Sequence, residues 1–262
     1  MSGVLQVVSC GGPAWWVGPA APFAAARGRP PGGPLDPGAQ AAGAAALGGG
    51  PGDDALTIEH VGGLTVSAGD APLWLAQVGR ETVELWRLRA GESLSLPGPR
   101  AGRVGTLVVA ARPAAPVGPG PLLPLARGAW LPGTPWRGPA APAATRPRPA
   151  AAGPLRVVPV PDAGLAAVAA LGAGVWSVGA AADRRGVPLR GPGVAGVTAV
   201  GRSRPVVPGA IQALPDGGLV VLGPDGPTLG GYPLVGVVVA ADRGRVWNAG
   251  PDEALHFRVA GP

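Results

Sequence analysis

Glycine and proline together make up nearly a third of this chain, 47 and 35 of its 262 residues. Glycine costs a helix or strand interior backbone entropy, while proline removes an amide donor and fixes φ. A helical bundle or coiled coil is therefore excluded, which leaves short elements separated by turns. So much Gly and Pro ordinarily marks disorder. Here, however, 47% of residues are hydrophobic and 14% charged, the reverse of a disordered composition. The chain folds around a core.

The apolar runs are short, rich in Val and Leu, and bounded by Gly, Pro or Asp. They predict strands at 73–78, 93–96, 106–110, 155–160, 219–222 and 235–240. Two segments read as helices, 37–47 opened by Asp36 as N-cap and 163–171 following Asp162 in the same way; both are short and expected at the periphery. Strands about ten residues apart, without crossover helices, predict a mostly β protein of antiparallel barrels or sandwiches. Between 113 and 153 the periodicity gives way to Pro and Ala, which predicts a linker or degenerate loop. The expected organisation is a β lobe over 1–112, the linker over 113–153 and a second β lobe over 154–262. An Ala-Gly turn, an acidic residue and an alternating strand recur near the end of each lobe, at 88–96 and 247–257.

Charge and cysteine narrow the function. The net charge of +6 reflects 21 arginines and no lysine, scattered without a basic helix or interleaved aromatics, so nucleic-acid binding is not expected. Cys10 has no partner for a disulfide, and with only His60 and His256 available there is no zinc-ligand spacing and no metal site is expected. No apolar run reaches membrane-spanning length and the start lacks a signal-peptide pattern, so the expectation is a soluble, cytoplasmic protein without membrane contact.

Two stretches carry chemistry. In 209–233, Pro215-Asp216-Gly217-Gly218 reads as a turn with Asp216 capping backbone donors and Gly217 at positive φ. Gly230-Gly231, before the single tyrosine Tyr232, would let backbone amides approach an anionic ligand, or would simply be a second hairpin turn. In 182–192, Arg184 could hold a carboxylate or phosphate in bidentate fashion with Asp183 orienting a donor, or the two could form an exposed turn.

Together these stretches carry a resemblance. Gly209, Ile211, Gln212, Asp216, Gly217, Leu222, Asp225, Thr228, Gly230, Gly231, Tyr232 and Pro233 fit the signature G-x-I-Q-x-P-x-D-G-x-P-I-x-L-x-x-D-x-Q-T-x-G-G-Y-P. Asp183, Arg184, Gly186, Leu189 and Gly191 are similar to S-D-R-M-G-x-R-L-x-G, with Trp176 where an aromatic commonly precedes it. The chain thus resembles the carboxyltransferase-like family that includes the larger of the paired 5-oxoprolinase subunits, allophanate hydrolase subunit 2 and the antagonist of a sporulation-kinase inhibitor. The N-terminal half matches more loosely, through Gly32-Gly33-Pro34-Leu35-Asp36, Glu59 and the strand, turn and strand from Val83 to Leu94. The resemblance implies two barrel-like, cyclophilin-like lobes with few short helices.

It also implies a subunit of an ATP-dependent 5-oxoprolinase-type amidohydrolase, opening the lactam of 5-oxoproline to glutamate in a hetero-oligomer with a companion subunit that shares the ATP. Phosphorylating the amide oxygen would create a leaving group, so such a site needs a cation for phosphate, donors for an oxyanion and a carboxylate for water. The residues carried over as catalytic are Asp183, Arg184, Asp216 and Tyr232. Those carried over as substrate- or cofactor-binding are Gly186, Gln212, Gly217, Thr228, Gly230 and Gly231. A biotin-dependent carboxyltransferase acting on urea or a related amide is the first alternative, with biotin arriving on another protein because no A-M-K-M attachment phrase is present. A catalytically impaired regulatory or scaffold subunit is the second. The family's Gly-rich loop after 106–110 is replaced by Ala111-Arg112-Pro113-Ala114, its Gln by Pro227 and its Lys by Leu234.

Overall fold

The Val- and Leu-rich runs become strands, as their alternation requires. The computed structural model describes residues 3–49, 55–100, 102–114, 123–136, 138–139, 145–148, 153–194 and 203–260. Contacts divide the chain into one unit of residues 1–20 and 32–150 and another of 21–31 and 151–262.

The first unit carries β1 (Leu5–Cys10), β2 (Ala14–Val17), α1 (Pro37–Ala46), β3 (Leu56–His60), β4 (Leu64–Ala68), β5 (Leu73–Val78), β6 (Thr82–Leu88), β7 (Ser93–Leu96), β8 (Gly105–Val109), β9 (Ala111–Pro113), β10 (Leu123–Pro124), β11 (Trp130–Leu131), β12 (Gly133–Pro135) and β13 (Thr145–Pro147). They form a four-stranded sheet ordered β11-β1-β4-β7, a seven-stranded sheet ordered β10-β2-β3-β8-β5-β6-β13 and a β12-β9 pair. This lobe is thus an open layered assembly. Leu5, Val7, Leu64 and Val66 of the smaller sheet share one apolar core with Leu56, Ile58, Leu75 and Leu107 of the larger.

Helix α1 covers the opposite face, where Ala39, Ala44 and Leu47 pack with Ala76, Val78 and Val108. It is therefore a core layer rather than the peripheral element expected. The close approach depends on Gly43, since a Cβ there would stand 2.6 Å from Val108 Cγ2 and 2.9 Å from Val78 Cγ2. Asp36 caps the helix as expected, accepting from Ala39 N at 2.9 Å, and its carboxylate also takes a bidentate ion pair from Arg148.

The stretch 113–153, expected as a linker, contributes edge strands to this unit where it is described. β10 and β13 lie at the two edges of the larger sheet, β11 lies at one edge of the smaller, and Leu131 is buried in the core. An edge strand tolerates proline because one row of its amides needs no ladder partner. That explains how Pro124 and Pro147 serve here.

The second unit carries a 3₁₀ turn (Pro22–Arg27), β14 (Leu155–Pro159), α2 (Leu165–Ala173), β15 (Val175–Val178), β16 (Gly186–Arg190), β17 (Arg204–Pro205), β18 (Ala210–Ala213), β19 (Leu219–Leu222), β20 (Leu229–Gly230), β21 (Leu234–Val238), α3 (Arg243–Trp247) and β22 (Ala254–Val259). Seven strands close a barrel in the order β14-β21-β18-β19-β16-β15-β22, completed by a parallel pairing of β14 with β22. Trp176, Val187, Leu189, Ile211, Leu219 and Val221 are fully or almost fully buried. Trp176 donates its indole N–H to Leu171 O at 3.3 Å, and Gly191 leaves room for its ring. Helix α2 starts two residues later than expected. Gly164 is its N-cap, without a side-chain hydrogen bond, because Asp162 pairs with Arg204 instead.

Candidate functional site

The barrel strands fix where each sequence-expected residue can act. β16 and β19 run antiparallel, with Gly186 opposite Leu222 and Leu189 opposite Leu219. The loops 183–186 and 223–226 therefore share one end of the barrel, and the turn 214–218 lies at the other. Three residue steps of about 3.3 Å separate Leu219 from Leu222. The two ends are thus about 10 Å apart before the loops themselves are counted.

At the first end, Arg184 forms an ion pair with Asp225, Nε to Oδ2 at 2.7 Å and NH2 to Oδ1 at 3.3 Å. Backbone bonds zip the same loops together, from Asp225 N to Arg184 O at 3.0 Å and from Gly223 N to Arg185 O at 2.9 Å. Asp183 turns its Oδ1 back onto the amides of Arg185 and Gly186, at 2.7 and 3.0 Å. This is an Asx-type turn, in which a carboxylate replaces a backbone acceptor. Gly186 pairs with Leu222 as the first residue of β16.

At the opposite end, Asp216 Oδ1 accepts from Gly218 N at 2.9 Å, and Gly217 takes φ +84° as the turn chemistry requires. Gly217 O also accepts from Val194 N at 2.9 Å. Asp183 and Arg184 are therefore not brought together with Asp216.

The remaining expected residues gather on the outer face of the barrel. β17 and β20 form a two-stranded strap, Arg204 opposite Gly230 and Pro205 opposite Leu229, extended by Val206 N donating to Thr228 O at 3.0 Å. Val206 anchors the strap by packing on Ala210 and Leu222. Beneath it lies Gln212 of β18, 4% exposed, whose Nε2 is buried without a hydrogen-bond partner. A Cβ on Gly230 would collide with that nitrogen and stand 3.1 Å from Val206 Cγ1. Glycine at 230 is thus what lets the carboxamide lie under the strap. Tyr232 follows two residues later and is 41% exposed, next to Gly231 and to Pro233, whose carbonyl accepts from Ala213 N at 2.9 Å. A buried amide donor left without an acceptor costs about 1–3 kcal/mol. Gln212 is the one sequence-expected residue whose placement here calls for a further partner.

Sequence reasoning passed over polar residues buried in the first unit. Glu59 and His60 lie on β3, where Glu59 accepts from Leu35 N and thereby ties down the entry to α1. His60 donates from Nδ1 to Gly62 O at 2.7 Å, with Gln77 Nε2 at 3.4 Å from its Nε2, and burial pushes its pKa below the ordinary value. The signal was a Thr-Ile-Glu-His run inside an apolar strand, where polar residues at successive positions must face both sides of the sheet. An open depression of about 570 Å³ lined by Pro72, Arg87, Arg89 and Glu92 also belongs to this unit and includes no sequence-expected residue. Among the described residues, no three or more His, Cys, Asp or Glu side chains are grouped to hold a metal ion, and no helix is long and apolar enough to cross a membrane.

The family model described as carboxyltransferase domain, subdomain A and B, matches residues 27–259. Among solved structures, TTHA0988 is 26% identical, with a TM-score of 0.82 over 98% of this chain and 55% of that one. Urea carboxylase from Kluyveromyces lactis is 18% identical, with a TM-score of 0.74 over 97% of this chain and 27% of that one. The K. lactis urea amidolyase gives the same identity and TM-score over 97% and 18%. The two yeast likenesses are of fold. The chain spans about half the length of TTHA0988. No curated protein matches it.

Proposed function

The chain belongs to the carboxyltransferase domain family, subdomains A and B, and on that basis we propose that it is the carboxyltransferase-fold subunit of an enzyme acting on the C–N bond of a small amide. The specific reading is a 5-oxoprolinase-type amidohydrolase that works with a companion subunit. The observation that carries it is the Gln212 amide, buried and without an acceptor beside the bare backbone of Gly230. A lactam or urea carbonyl is the acceptor that such a donor lacks. A donor held on a barrel strand also strengthens its bond as negative charge grows on that oxygen, which favours attack at the carbonyl carbon. Tyr232, half-exposed at the end of the strap, is the residue for the substrate's remaining polar group.

The nucleotide is a separate matter. Arg184, the cation expected at a phosphate, has its guanidinium on Asp225. In this reading the companion subunit supplies the ATP site.

A second reading, carboxyl transfer to urea from biotin held on another protein, draws on the fold likeness to the K. lactis urea carboxylase. Co-purification with the companion subunit, followed by an assay for ATP-dependent release of glutamate from 5-oxoproline, separates the two. The first reading expects turnover that falls at least about tenfold in Gln212→Leu, the size of effect that loss of one hydrogen bond to a reacting group produces. Turnover restricted to urea, bicarbonate and a biotinylated carrier selects the second. A stable complex inactive in both assays would leave a regulatory scaffold.

A further inference from the structure

We infer that the strap formed by β17 and β20 is a lid over the Gln212 amide, closed in this structure and opening to admit a carbonyl oxygen. This rests on the reading of Gln212 as the amide-recognition group and adds how that group is reached. Three observations carry it. First, Nε2 of Gln212 is inaccessible and unpartnered, so the closed arrangement holds a donor that a bound carbonyl would satisfy. Second, the strap backbone lies against that nitrogen at Gly230, which has no side chain, and a Cβ there would meet the nitrogen before anything else. Third, apart from the Val206 side chain, which packs on Ala210 and Leu222, the strap has few attachments. Among the described residues these are two residue pairs in its ladder, one flanking backbone bond from Val206 to Thr228 and an exposed ion pair between Arg204 and Asp162. Leu229 and Val207 on the same strap face solvent and add little to its hold.

The barrel beneath is continuous through β18, which pairs with both β19 and β21. Lifting the strap therefore exposes Gln212 without breaking the barrel. Local openings of this kind draw on the least stable hydrogen bonds in a fold. The closed lid excludes solvent from the amide when no ligand is present, and a carbonyl ligand shifts the population toward the open form by binding only that form.

The test uses the whole chain, with its single tyrosine, Tyr232, labelled as 3-fluorotyrosine. Hydrogen exchange of 204–207 and 228–232 is followed alongside the fluorine resonance while urea or 5-oxoproline is titrated. The wild type should show a saturable shift of the one fluorine signal and faster exchange in the strap. Gln212→Leu removes the unpaired donor, so the strap should exchange about tenfold more slowly and the ligand shift should vanish. Gly230→Ala forces a Cβ onto the carboxamide, so the strap should exchange at least about tenfold faster while the β18 and β19 amides stay protected. Strap exchange in Gln212→Leu equal to that of the wild type, or a ligand shift that survives in that variant, overturns the lid even if the complex turns over amides. Exchange that responds to both substitutions while neither urea nor 5-oxoproline moves the fluorine signal overturns the carbonyl ligand, and the functional reading falls with it.

Discussion

The two units satisfy their buried polar groups in different ways. The first buries Thr57, Glu59, His60 and Thr106 on adjacent strands β3 and β8, between the core shared by the two sheets and the layer under α1. The second fills its barrel with apolar side chains such as Trp176, Leu189 and Ile211; among its described residues it also buries Gln212 under the strap and Asp242 against Arg156, while Arg184 meets Asp225 at one barrel end. A layered sheet has room for a backbone loop to dip in and satisfy a carboxylate, as Leu35 does for Glu59. A seven-stranded barrel is filled by side chains alone. The difference teaches that a buried polar group can lie inside a conspicuous phrase or outside it: Gln212 belongs to the signature, whereas Glu59 and His60 lie in the first unit, where the match is loose.

This contrast can be broken most forcefully at Trp176. Trp176→Ala should destabilise the barrel by about 4 kcal/mol, the cost of emptying a fully packed indole site, with denaturant-dependent hydrogen exchange in the first unit unchanged. Loss of protection in both units together would end the independence assumed here. Asp36→Ala should act on the first unit alone and cost about 3 kcal/mol, because it removes a helix cap and strands the largely buried Arg148 guanidinium. Unit-resolved exchange in urea would read it. Equal losses in the two units would contradict it.

Acid should then separate the units without any substitution. Burial holds the His60 imidazole below its usual value, so the unfolded chain takes up the proton first. Stability of the first unit is therefore full above about pH 6.5 and declines as pH falls below it, until the folded imidazole itself titrates. His60→Gln should flatten that slope. In the second unit, the Arg156 side chain and amide hold the Asp242 carboxyl below its usual value. That contribution is present above about pH 4 and is lost as pH falls through the lowered folded value. Arg156→Met should shift only the acid limb of the second unit, the smallest of these effects because its guanidinium is nearly half exposed. A common acid midpoint for both units would remove the distinction.

What could be read in advance follows from how local each signal is. The strands 73–78, 93–96 and 219–222 were legible to the residue because alternation and turn residues bound them on both sides. The cap at Asp36 was legible for the same reason, whereas Asp162 was misplaced because its partner Arg204 lies 42 residues away. The five-residue α3 has no periodicity to read. Of the candidate site, the Asp216 turn and the positive φ of Gly217 were written in the local phrase. That Asp183 and Arg184 sit at the end of the barrel away from Asp216 was not, because it depends on the register of β16 against β19. The unpaired state of Gln212 depends on a strap contributed from both sides of it in sequence, which no motif states.

The parallel pairing of β14 with β22 has a consequence for how the protein is made. The strand that closes the barrel is the last of its strands to be synthesised, so every earlier strand waits on the ribosome in a sheet with two open edges. The first unit draws its residues from 1–20 and 32–150, all of them synthesised before β14 and β22 of the barrel. Translation thus completes the sequence of the first unit while the barrel still has open edges, and the interval before residue 259 emerges is when those edges are most exposed to wrong pairing.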